Sequence, residues 1–184
     1  MKTTVIETFY TAYSVAVNKL LENIENFKNA NKSYTAVALG DLITDGSDFG
    51  VSVSAHEELF PFFTDVKTIT TNILEAINDH IQLKVQYDAL GLSTAITDGH
   101  VFDDGNLGSD LKACLVSMAA LDAVLTSAFH YTNLCRMEYT AKRASASWTA
   151  GITGAQMKSV MTSLSAIDTF LTSGFHYTNL CKML

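Results

Sequence analysis

The feature that most constrains this chain is that it repeats itself. Residues 108–137 read GSDLKACLVSMAALDAVLTSAFHYTNLCRM, and residues 154–183 read GAQMKSVMTSLSAIDTFLTSGFHYTNLCKM. At a fixed offset of 46 and without a gap, 16 of the 30 positions are identical. The match is tightest at the end, where LTSAFHYTNLCRM and LTSGFHYTNLCKM differ only by Ala/Gly and Arg/Lys. Chance does not produce this, so the sequence reads as carrying a duplicated helix. A weaker echo, Ile-Thr-Asp-Gly, occurs at Ile43–Gly46 and Ile96–Gly99, and Gly151-Ile152-Thr153-Gly154 stands in a similar place. Three loop-plus-helix units follow from it, the first badly diverged, and so few irregular units favour a bundle over a solenoid.

Apolar spacing predicts four helical segments. Val5, Phe9, Tyr13, Val17, Leu20, Ile24 and Phe27 recur every three or four residues and share one face of a helix over about 4–30. A second runs over about 54–90, opened by a capping-box pattern at Ser54 and Glu57, with Pro61 expected to kink it or split off a leading turn. The third spans about 108–144 and the fourth about 153–183, where Thr153 and Gln156 repeat the capping-box spacing. A short helix is expected within 34–43, and short strands are conceivable at 51–53 and 95–101. Two Asp/Gly-rich loops, 44–50 and 98–109, link these segments. The expected fold is therefore all-α, one domain over 1–184, a bundle of about four long helices whose last two are the repeat.

On a helical wheel the repeat separates two faces. Ala120, Leu121, Val124, Leu125, Ala128, Tyr131, Leu134 and Cys135 form an apolar face, while Asp122, Thr126, His130 and Asn133 gather opposite. In the second copy the polar arc is Asp168, Thr172, His176 and Asn179. Core packing alone would let that arc drift, yet it is identical. Either the duplication is recent, or both arcs meet equivalent partners such as neighbouring copies of the chain. These eight residues are the candidate interface.

Chemistry finds little purchase. His130 and Cys135 lie about 140° apart around a helix, and Glu-x-x-His, which di-iron bundles need, does not occur. Asp122 and His130 are two turns apart, so a metal or small-ligand site between two arcs is the alternative reading. Asp98, Asp103, Asp104 and Asp110 lack the order of an EF-hand and read as turn residues. Cys181-Lys182-Met183-Leu184 fits a prenylation box, but Cys135-Arg136-Met137 repeats it mid-chain, which marks it as helix sequence. Cys114, Cys135 and Cys181 form no CxxC pair and read as reduced thiols. His56, His80 and His100 are expected at surface or capping positions, and the aromatic residues in the core. No nucleophile elbow, Walker loop or dinucleotide turn is present, so no catalytic residue, metal or cofactor is expected.

Composition favours assembly. Only 17% of the 184 residues are charged, against about 25% in ordinary globular chains. Residues 1–110 hold 16 acids and 6 bases, while residues 111–184 hold 3 acids and 6 bases. No basic run exceeds Lys142-Arg143, so nucleic acid is not an expected partner. The longest stretch free of Asp, Glu, Lys and Arg, 144–157, is too short to span a bilayer, and Glu7 interrupts any signal peptide. The expectation is a non-enzymatic structural protein, forming a homo-oligomer or joining other structural subunits. It would be cytoplasmic or part of a virion, as a capsid or head–tail component.

Overall fold

The computed structural model describes residues 3–47, 49, 60–138 and 152–184. Among these, eight helices account for the regular structure: α1 (Thr3–Ala36), α2 (Leu39–Leu42), α3 (Phe60–Ala89), α4 (Leu92–Ala95), α5 (Gly108–Leu125), α6 (Ala128–Met137), α7 (Gly154–Leu171) and α8 (Gly174–Cys181). No strand occurs among the described residues; Val101 and Leu107 form an isolated antiparallel bridge. The fold is all-α, as periodicity predicts. The start of the second segment at Ser54 and Glu57, and the strand expected at 51–53, lie outside the described residues.

Two expectations change. Pro61 sits in the first turn of α3, where a missing amide proton costs nothing, so it does not kink that helix; the alternative of a split-off leading turn falls on residues outside the described ones. Each copy of the repeat is not one helix but two, broken at Thr126–Ser127 and at Thr172–Ser173, with α5 and α6 bent 84° apart. Thr126 Oγ1 donates to the carbonyl of Asp122 (2.8 Å) and Thr172 Oγ1 to that of Asp168 (2.7 Å). Those hydroxyls bond back into the last turn as each helix ends. Ser127 Oγ then accepts the amide of His130 and starts α6.

The long helices α1 and α3 run antiparallel, and their contacts come in pairs. Phe9 meets the Tyr87 ring at 5.5 Å between centroids, and Tyr34 meets Phe62 at 5.2 Å. Phe9 and Phe62 are 53 residues apart, as are Tyr34 and Tyr87. The same offset relates the stacked rings Tyr10–Phe102 and Phe63–Phe49. It also relates Ala38 (φ 52) to Gly91 (φ 63), the left-handed residues that turn α1 into α2 and α3 into α4. These reciprocal contacts place the two halves about an approximate twofold axis between α1 and α3. Their buried faces, with Leu20, Ile24, Ile73 and Ile77 at the centre, form one core with Leu111, Leu121, Leu164 and Ile167 of the repeat.

The Ile-Thr-Asp-Gly loops explain why glycine opens each repeat. The amide of Gly108 donates to the carbonyl of His100 (2.7 Å) and that of Ser109 to Asp98 (3.1 Å). In the other half the amide of Gly154 donates to Ser47 (2.6 Å) and that of Ala155 to Asp45 (3.2 Å). Phe102 and Phe49 complete the match by donating to the carbonyls of Asn106 and Ile152, each at 2.9 Å. The loops at 43–49 and 96–102 thus act as two sockets, one for each repeat. A side chain on Gly108 would stand 2.0 Å from the carbonyl oxygen of Thr97, and one on Gly154 1.7 Å from that of Thr44.

Gly154→Ala and Gly108→Ala are therefore expected to lower unfolding free energy by more than about 3 kcal/mol, as backbone clashes at packed sites do. Gly99→Ala, with open space around it, is the control. Urea denaturation measures all three. In the same experiment Ala38→Gly should stabilise by about 0.5–1 kcal/mol, because alanine is strained where its twin Gly91 is not.

Candidate functional site

The candidate interface residues separate into two groups. Thr126 and Thr172 end α5 and α7, as described, and both are exposed. Asp168 Oδ1 lies 3.7 Å from Lys28 Nζ on α1, and Asp122 is half-buried. Because α6 turns away at Ser127, the arc drawn on a continuous helix is split, and His130 and Asn133 face elsewhere from Asp122.

Those four remaining residues form the centre of the repeat. His130 Nδ1 lies 3.1 Å from Ser163 Oγ on α7, and Asn133 Nδ2 donates to the same oxygen at 3.2 Å. Reciprocally, His176 Nδ1 lies 3.0 Å from Ser117 Oγ on α5, and Asn179 Nδ2 donates to it at 3.1 Å. Ser117 and Ser163 are themselves 46 residues apart, and both are fully buried. Each copy of the repeat thus grips the other through one buried hydroxyl. The exchange lies inside a single chain and joins the same residue types in both directions. Phe170 stacks on His176 at 4.3 Å and closes that site further.

The other flagged residues are also engaged structurally. Lys112 Nζ donates to Asp98 (2.7 Å) and Lys158 Nζ to Asp45 (2.9 Å), a further pair at equivalent places. Asp110 accepts from Lys182 Nζ (2.7 Å) and from the Leu107 amide (3.0 Å), contacts that hold its carboxyl below the ordinary aspartate range. Asp104 accepts from Tyr10 Oη (2.6 Å) and Asn106 Nδ2 (3.1 Å). His80 is not at the surface: it is buried, with Nδ1 2.8 Å from Tyr13 Oη. Burial pushes the Cys114 thiol up to about 12, which makes it a poor nucleophile at neutral pH. Among the described residues no group of three or more His, Cys, Asp or Glu is placed to hold a metal ion. His56 lies outside the described residues.

Two surface features escaped the sequence reading. Phe129 and Phe175, equivalent residues at the two helix corners, are 56% and 63% exposed, although aromatic residues are expected inside. A groove of about 430 Å³ opens between α1 and α8, lined by Leu21, Ile24, Leu171, Tyr177, Cys181 and Leu184 among others. In the other half the residues equivalent to Cys181 and Leu184, Cys135 and Glu138, are both buried. No single helix among the described residues is long and apolar enough to cross a membrane; α5 and α6 reach that only together, across their bend.

Ser117→Ala and Ser163→Ala each strip one His and one Asn of their buried partner. Each is expected to cost about 1–3 kcal/mol in thermal or urea unfolding, the penalty for orphaned buried polar groups. The two costs should be similar, because the sites are equivalent. No family model matches the chain, and neither a curated protein nor a solved structure matches it.

Proposed function

We propose that this chain is a non-enzymatic structural protein, built by duplication, that works as a subunit of a homo-oligomer or a larger complex. The observation behind this is the outer surface of the repeat. Between Lys112 and Asp122, and again between Lys158 and Asp168, the helices carry no charged residue at all. Val116 is exposed in the first of these stretches, and Phe129 and Phe175 stand in solvent beyond their ends. A free-standing protein usually covers its surface with charge, whereas a subunit keeps neutral, aromatic-bearing area to bury against a neighbour. Retention of an exposed Phe at both corners is not a requirement of the core. A capsid or head–tail component of a virion is one setting that suits such a subunit.

The alternative, a metal- or ligand-carrying bundle using His130 and His176 with Asp122 and Asp168, has less behind it. The Nδ1 atoms of both histidines are taken by Ser163 and Ser117, and Asp168 is turned toward Lys28.

Light scattering and native mass measurement over a range of concentrations test the proposal. Assembly beyond the monomer is expected, and the double variant Phe129→Ser, Phe175→Ser should shift it at least tenfold toward monomer. Its unfolding free energy should change by no more than about 0.5 kcal/mol, as for surface substitutions generally. A stable monomer at high concentration would sink the assembly reading.

A further inference from the structure

The two sockets are equal in contacts but unequal in how the chain fills them. The socket at 96–102 is filled by the helix that follows it directly, since Phe102 and Asn106 are joined by a tight turn at Gly105 (φ 89). No other chain can compete for that place. The socket at 43–49 waits for residues 152–184, which lie about a hundred residues further on and are tethered to α6 by the 13 residues 139–151. Thirteen residues reach at most about 45 Å.

The second arm is also the less completely seated one. The groove beside α8 leaves Cys181 half-buried and Leu184 exposed, where Cys135 and Glu138 of the first arm are buried. Its contacts with the rest of the molecule are all with sequence-remote partners. Gly154 and Ala155 bind the loop at Ser47 and Asp45, and Ser163 takes His130 and Asn133. Ser14 Oγ and Asn18 Nδ2 donate to the Met183 carbonyl (3.0 and 3.3 Å).

We propose that the socket at residues 43–49 is an exchange site whose partner is a second copy of this chain, donating its residues 152–184 in place of the receiver's own. The donated arm makes the same contacts as the resident one, so exchange costs no bond. What decides between them is concentration, the local concentration set by the 13-residue tether against that of free chains. Two chains that trade arms close into a dimer. This rests on the assembly reading and names one mode of it.

A disulfide across the socket distinguishes the arrangements. Asp45 and Ala155 are both exposed and joined by a backbone hydrogen bond, a spacing that suits a disulfide. Asp45→Cys and Ala155→Cys are introduced together into the full chain with Cys181→Ser. The protein is refolded over a range from about 5 to about 500 μM, oxidised, and separated under denaturing, non-reducing conditions. The ratio of covalent dimer to internally linked monomer should rise in proportion to concentration, about 100-fold over that range. Internally linked monomer alone at every concentration, in protein that light scattering shows to be assembled, overturns the exchange and leaves the assembly reading standing. Internally linked monomer in protein that never assembles overturns both.

Discussion

One close approach, made twice, governs the layout of this molecule: a helix start pressed onto a loop carbonyl, at Gly108 on Thr97 and at Gly154 on Thr44. Backbone that near to backbone admits no side chain, and it fixes where each arm of the repeat leaves its socket. From there the direction of α5 and α7 is set, and with it the meeting of Ser117 and Ser163 with the histidines and asparagines of the opposite arms. The paired lysines 112 and 158 lean on Asp98 and Asp45 from the second turn of those helices. Being exposed, those ion pairs add little. Hydrogen bonds of the loop backbone and the burial of Phe49 and Phe102 beside them hold the sockets instead.

Sequence alone showed that the chain is helical, because long amphipathic stripes such as Phe9, Tyr13, Val17 and Leu20 leave little alternative, and those residues are indeed buried. It also showed the repeat. It did not show the break within each repeat, because apolar residues continue at helical spacing straight across Leu125 and Leu134. The signal available was the Thr-Ser pair at 126–127 and 172–173, hydroxyls suited to ending one helix and capping the next. Nor did it show that the two long helices match at an offset of 53. Twelve of the 38 residues from Phe9 to Gly46 recur there, but the longest contiguous run is Ile-Thr-Asp-Gly.

The polar arc taught a different lesson. Its geometry departs from the expected one, because a wheel drawn on one straight helix cannot show a corner. Once the corner is in place, His130 and Asn133 point across to Ser163, and a pattern that suggested contact between molecules is used between the two copies of the repeat. What remains at the surface is Phe129 and Phe175, which the assumption that aromatics belong inside had hidden.

The approximate twofold fails at several buried positions, and the Tyr13–His80 pair is the one with a hydrogen bond between two buried side chains. Their counterparts at the offset of 53, Val66 and Phe27, are apolar and buried. Two copies of α1 paired in the same manner would set Tyr13 against Phe27, and two copies of α3 would set His80 against Val66. Either pairing forfeits that bond in a dry core. That hydrogen bond therefore favours the pairing of the two unlike helices over either pairing of like ones.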